Sequence, residues 1–237
     1  MIPELAEKGY SAYAADLPGH GESIKPEDPG DYHVESIYQH FSEWLDELNL
    51  ESPPILVGHS LGGYISMVHA IRRPSEVRGL VLIDPFYSPE QLSPLLRLVR
   101  HRPKLGEKAL RYLPEWLIYT VMGWDPTTST QFSSQARQQI AVDYKRASPR
   151  FVYITKDIPE LTSSLNRIRQ PTLVLWGEDD HTLNPTSFPH LAEKLPNAKC
   201  HVISKSGHQP HIGQPDITNR LTLDFIGDNI VGDPARP

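Results

Sequence analysis

The chain has 237 residues, enough for one large core or one core with a cap. Hydrophobic residues make up 38% and charged residues 22%, which excludes a disordered chain and fits a globular one. The formal net charge is −6 with no basic block, so nucleic acid is not an expected partner.

In chain order, residues 10–15 are expected as a strand that ends at Asp16-Leu17-Pro18-Gly19. Residues 34–48 have helical spacing, with Ile37, Phe41, Leu45 and Leu48 on one face. Pro54-Ile55-Leu56-Val57 is a short buried strand, and residues 64–72 are the helix after it. Residues 79–83, 172–176 and 201–204 are further strands, and 188–195 and 216–225 further helices. Short apolar strands alternating with helices predict an α/β fold: a mostly parallel central sheet with helices on both faces.

One interval breaks this alternation. Between Asp84 and about Asn166 the sequence is helical or irregular and carries Phe86, Tyr87, Trp116, Tyr119, Met122, Trp124 and Phe132. A structureless loop of that length does not fit inside a compact domain. The expected organisation is therefore core at 1–84, helical cap at 85–166, core at 167–230 and a frayed tail at 231–237. The cap aromatics suggest an apolar pocket for a small-molecule substrate, although each could equally be ordinary packing.

Cys200, the single cysteine, excludes an internal disulfide and is expected as a small buried hydrophobe in its strand. The first residues lack a basic segment followed by an apolar run, and no apolar run reaches the length of a membrane span. A cytoplasmic location is expected.

The chemistry centres on Gly58-His59-Ser60-Leu61-Gly62. A Gly-x-Ser-x-Gly turn between a strand and a helix lifts a serine hydroxyl above the sheet edge. Glycines flank it because side chains there are expected to collide. The N–H of Leu61, at the start of the helix, then points at a developing oxyanion. A phosphate-binding turn is the plain alternative, but no Lys follows the glycines as a P-loop requires. A serine hydroxyl needs a base held by an acid, in the chain order Ser, acid, His. The strand at 172–176 runs into Gly177-Glu178-Asp179-Asp180, and the strand near 201–203 runs into Ser206-Gly207-His208.

Four segments together resemble the α/β-hydrolase superfamily, in its serine esterase and carbon–carbon hydrolase branch. They are Asp16-Leu17-Pro18-Gly19-His20-Gly21-Glu22-Ser23, Gly58-His59-Ser60-Leu61-Gly62-Gly63, Leu175-Trp176-Gly177-Glu178-Asp179-Asp180 and Ser206-Gly207-His208. The resemblance implies Ser60 as nucleophile, Asp180 as acid and His208 as base, with no metal or organic cofactor. Asp179 and Asp84 are rival acids, and His211 is a rival base. His59 is expected to pack or hydrogen-bond locally, and His20 to belong to a structural turn.

The resemblance also implies eight strands, and five are found. The first three are absent, together with the His-Gly segment that supplies a second oxyanion N–H. His20-Gly21 belongs to the later Pro-Gly-His-Gly turn. The expectation is an N-terminally shortened serine hydrolase for an ester, thioester or activated C–C bond. The alternative is a catalytically weak or inactive hydrolase fold serving as an interaction module.

Overall fold

The computed structural model describes residues 1–124 and 132–230. In chain order the helices are α1 (Ile2–Glu7), α2 (Val34–Glu47), α3 (Leu61–Arg72), α4 (Pro94–His101), α5 (Pro103–Tyr112), α6 (Glu115–Trp124), α7 (Ser134–Arg146), α8 (Ser187–Lys194), α9 (Pro210–Gly213) and α10 (Pro215–Ile230). The strands are β1 (Ile55–His59), β2 (Gly79–Ile83), β3 (Thr172–Gly177) and β4 (Ala198–Ile203). They form one parallel sheet in the order β1-β2-β3-β4. The fold class expected from the alternating pattern is the one observed, an α/β fold built on a parallel sheet.

The chain divides into two compact units. The first comprises Met1–Ala14, Leu50–Tyr87 and Leu161–Pro237, and holds the whole sheet. β2 and β3 are buried at every position, as central parallel strands must be when both faces are covered. Val81, Ile83, Leu173, Leu175 and Ile203 pack with Leu5 of α1 and with Phe225 and Ile226 of α10. Alternate residues point to the opposite face, where Trp176 meets Phe188 of α8 at 5.6 Å between ring centroids. Helix α3 packs along β1 and β2.

Residues 10–15 correct the expectation of a fifth strand. They carry no regular secondary structure and join no ladder among the described residues. Tyr10 and Ala12 still lean on the core beside Leu5, with the alternation that made the segment read as a strand. Periodicity records which side chains are buried. It does not record whether a neighbouring backbone lies at hydrogen-bonding distance. β1 is accordingly an edge strand among the described residues, and Val57 is 41% exposed. Cys200 also departs from expectation: it is partly exposed, because β4 is the other edge of the sheet.

The second unit comprises Ala15–Asn49 and Ser88–Glu160. Here the Pro-Gly-His-Gly turn is tied down locally. The Asp16 carboxylate accepts the Glu22 N–H at 2.9 Å, and a Cβ on Gly21 (φ 46°) would run into that carboxylate. His20 stacks near Phe151 at 5.2 Å, and the Ser148 N–H donates to the Gly19 carbonyl at 2.7 Å. The side chains of Met122 and Trp124 and the tail at 231–237 lie outside the described residues. No helix among the described residues is long and apolar enough to cross a membrane.

Leu175 is fully buried at the centre of the core cluster. Leu175→Ala is expected to cost about 2–5 kcal/mol, from lost apolar burial and the cavity left behind. Urea unfolding monitored by tryptophan fluorescence measures it, and a loss well under 1 kcal/mol would contradict this packing.

Candidate active site

β1 delivers the chain into a sharp turn at Ser60, whose backbone has φ 51° and ψ −113°. A non-glycine residue there is strained by about 1–3 kcal/mol and persists only if its surroundings hold it. Three backbone bonds do so. The Ser60 N–H donates to the Ile83 carbonyl at 3.0 Å, and the Ser60 carbonyl accepts from Tyr64 and Phe86, each at 3.1 Å. β2 and the segment after it thus brace the turn.

The glycines around Ser60 are not equivalent. A Cβ on Gly58 would lie 2.4 Å from the Gly62 carbonyl oxygen, and one on Gly63 would lie 2.8 Å from Pro85 Cβ. A Cβ on Gly62 would meet nothing within 4 Å. The expected crowding on both flanks is therefore corrected: the close approaches are at Gly58 and Gly63, where the turn folds back on itself and where α3 passes Pro85.

The structure brings Ser60, His208 and Asp180 together. His208 Nε2 lies 3.1 Å from Ser60 Oγ, and His208 Nδ1 lies 2.8 Å from Asp180 Oδ2. Asp180 is fully buried, and its Oδ1 accepts the N–H groups of Thr182 (2.7 Å) and Leu183 (3.0 Å). Burial alone would raise this carboxyl, but the His208 hydrogen bond and charge and the two backbone donors hold it below the ordinary value of 3.8. Asp180 therefore stays ionised at neutral pH and fixes the imidazole with Nδ1 as donor. Nε2 is left to accept from the Ser60 hydroxyl. Leu61 is the first residue of α3, so its N–H has no acceptor within the helix and is a candidate oxyanion donor.

Two loops must converge for this contact. The Glu178 N–H donates to Ile203, and the Asp179 N–H to Ser206. Gly177 makes the approach sterically open, because a Cβ there would fall 2.1 Å from the Gly207 carbonyl oxygen. Asp179, a rival for the acid, is half-buried and serves this turn through its backbone.

The other histidines surround His208. His59 Nε2 donates to the His208 carbonyl at 2.6 Å, and its ring lies 4.8 Å from that of His208 and 4.7 Å from that of His211. Burial, then the neighbouring histidines, push His59 well below 6.5. Burial and His208 bring His211 down to about 4. Both are neutral near pH 7, so His59 positions the backbone of the His208 loop. The expected local role of His59 understated this contact, which spans 149 positions in the chain. No pattern at that separation marks it.

Asp84, the other rival for the acid, lies beside Asp180. It follows β2 with φ 40°, is fully buried, and accepts the Gly177 N–H at 3.0 Å through Oδ1. Its Oδ2 is buried without a hydrogen-bond partner in the protein. Ligand-type atoms of Asp84, Asp180 and His208 lie within 4.8 Å of one another. Such a trio can also hold a metal ion, but the two ring nitrogens of His208 are already engaged by Asp180 and Ser60. Burial, then the charge of Asp180, pushes Asp84 well above 3.8. Two buried carboxyls this close disfavour each other's ionisation, and Asp84 is the one driven toward its protonated form.

A family model described as "alpha/beta hydrolase fold" matches residues 1–215. The chain belongs to the α/β-hydrolase family. A 2-hydroxy-6-oxononadienedioate/2-hydroxy-6-oxononatrienedioate hydrolase of Cupriavidus pinatubonensis is 28% identical over 240 residues, covering 96% of this chain and 80% of that protein. Lipase 3 of a Moraxella species is 25% identical over 217 residues, covering 88% of this chain and 67% of the lipase. Among solved structures, a thermophilic esterase from Thermogutta terrifontis matches with a TM-score of 0.74 and 24% identity, covering 89% of this chain and 77% of the esterase. The last likeness shows the fold. The family and its hydrolase relatives make hydrolase activity the family-level expectation.

Two outcomes test the site's construction. Gly62→Ala is expected to be neutral or slightly stabilising, by up to about 1 kcal/mol in a helix. Gly177→Ala is expected to lower the thermal midpoint and spoil the His208 contact, because a methyl group overlaps the Gly207 carbonyl. Equal behaviour of the two variants would contradict the geometry. Asp84 supplies the second test. Above 3.8 the unfolded chain loses the Asp84 proton while the native chain keeps it, so stability falls as pH rises toward the raised native value. Asn does not titrate. Asp84→Asn should therefore gain stability relative to the parent by up to about 1.4 kcal/mol per pH unit across that window, and nothing below it. Chemical denaturation at a series of pH values reads this, and a pH-independent difference would refute a protonated Asp84.

Proposed function

We propose that the protein is a serine hydrolase in which Ser60 is the nucleophile, His208 the general base and Asp180 the orienting acid. The observation that carries this reading is the continuous hydrogen-bond chain Ser60 Oγ–His208–Asp180, at 3.1 and 2.8 Å. In this mechanism Ser60 Oγ attacks a carbonyl carbon as its proton passes to His208 Nε2. The tetrahedral oxyanion is stabilised by the Leu61 N–H and the start of α3. Collapse expels the leaving group, which takes the proton from His208. Water, deprotonated by the same imidazole, then releases the acyl group and restores Ser60.

The substrate class is an ester, a thioester or an activated C–C bond beside a ketone, on a small apolar molecule. The breadth of this range follows the hydrolase and lipase relatives, and its apolar character follows the aromatics of the helical segment. A serine at this position favours acyl transfer over reactions that pass through an alkyl ester of an aspartate. The helical segment 85–166 is read as the cap that selects among such substrates.

A second reading is a weakly active or silent hydrolase fold used as an interaction module. It is favoured by one observation: the His-Gly pair at His20-Gly21 is held in a local turn closed by Asp16 and Glu22, which leaves the Leu61 N–H as the candidate oxyanion donor identified among the described residues. Losing one oxyanion donor typically lowers kcat by about 100- to 1000-fold.

A fluorophosphonate probe separates the two. The first reading expects labelling of the folded chain that disappears in Ser60→Ala and falls by several orders of magnitude in His208→Ala. Absence of labelling in a chain that unfolds cooperatively would favour the second.

A further inference from the structure

Helices α4 and α5 of the second unit carry large apolar residues on their exposed faces. A helix on a soluble protein normally puts its apolar stripe inward and its charges outward. In α4 exposed Arg97 and half-buried Arg100 are both tied to main-chain carbonyls. Arg97 donates to the carbonyls of Glu90 and Leu92, and Arg100 donates to the Thr155 carbonyl at 2.9 Å. Leu95 and Leu98, one turn apart, are 70% and 55% exposed. In α5 Glu107 is paired with Arg111 and Arg150 and accepts from Tyr153, while Gly106 is pressed against Val99 of α4. The opposite stripe of α5 carries Leu105 at 57% and Tyr112 at 78% exposure, with exposed Ala109 between them. Trp116, the second residue of α6, is 67% exposed.

The charge of the same stretch is as unusual as its apolar face. Residues 94–112 hold six Lys or Arg residues and a single Glu, in a chain whose net charge is −6. That Glu is Glu107, already neutralised by its two arginines. Arg102, Lys104 and Lys108 are exposed beside the outward leucines. Isolated exposed leucines are ordinary, but several large apolar side chains exposed along two successive helices and ringed by Lys and Arg are not. Large apolar groups, Tyr and Trp rings, and surrounding Lys and Arg are the chemistry of a bilayer interface. The chains enter the acyl boundary, the rings sit at the headgroups, and the cations meet anionic lipid.

We propose that the outward face of α4 and α5 docks the protein on an anionic lipid bilayer. An acidic protein as a whole is repelled by such a surface. Residues 94–112 provide the local cationic contact that overcomes the repulsion and orients this face toward the lipid. The attachment is peripheral and reversible, because the two helices are of eight and ten residues and lie in the interface rather than crossing it. It does not depend on the chemistry at Ser60.

The test uses the full chain and sedimentation with vesicles of phosphatidylcholine alone or with phosphatidylserine. Binding is expected only to the phosphatidylserine vesicles, and it weakens as salt screens the lysines. Replacing Lys104→Gln and Lys108→Gln together should weaken it by about 30-fold. Leu105→Ser with Tyr112→Ser should abolish it through the apolar component. Both double variants should retain the parent's circular dichroism and thermal midpoint. The proposal is overturned by absent binding to phosphatidylserine vesicles, by binding that both variants retain, or by a dimer in solution that the Leu105/Tyr112 variant dissociates. Fluorophosphonate labelling, run in parallel, reports on Ser60 separately.

Discussion

At Gly177 the end of β3 passes so near the Gly207 carbonyl that no side chain fits between them. The triad geometry depends on that approach. Asp180 follows the glycine by three residues, and His208 follows Gly207 directly. Bringing the two backbones together therefore puts carboxylate and imidazole at hydrogen-bonding distance without either side chain having to stretch. The N–H of Gly177 is spent on Asp84, and the N–H groups of Glu178 and Asp179 on Ile203 and Ser206. The loop that carries the acid is thus tied to the sheet on one side and to the loop of the base on the other. A site held by so many main-chain bonds is preorganised, with little reorganisation left for a reacting molecule to drive.

Two electrostatic choices follow from burying so many titratable groups in a small volume. Of two carboxyls, the one with backbone donors and an imidazole partner ionises, and the other is driven toward its protonated form. Of three histidines, the two enclosed by the protein stay neutral, which avoids a positive charge next to the base. The apolar surroundings thus sort the roles, leaving Asp180 as the single anion behind His208. Asp84 then acts as a polar brace on Gly177 and lies beside Asp180 without competing with it for charge.

Much of this was legible in the residues, and what was not has identifiable reasons. The strand-to-helix turn at Ser60 and the segments ending in Asp180 and His208 show themselves by glycines beside apolar runs. β2 is visible because a strand buried on both faces is a continuous apolar run. Residues 10–15 misled because alternation reports burial and not pairing. Gly62 misled because only coordinates show which glycine of a motif has a neighbour. The contact of His59 with the His208 carbonyl and the enclosure of Asp84 are long-range and leave no local pattern. The exposed apolar face of α4 and α5 was equally hidden. A helical stripe has the same period whether or not another element covers it, and only the coordinates show Leu95, Leu98, Leu105 and Tyr112 uncovered.

β1 has a consequence beyond catalysis. It delivers Ser60, and it is also an edge of the sheet among the described residues, with a half-exposed valine at its middle. The outer N–H and C=O groups of an edge strand can template any extended segment that comes near. A segment pairing there would stiffen the strand that feeds the strained turn, and a tug on it would be transmitted to Ser60 within three residues of Val57. Among the described residues, the edge open to pairing is thus the strand that leads directly into the turn at Ser60.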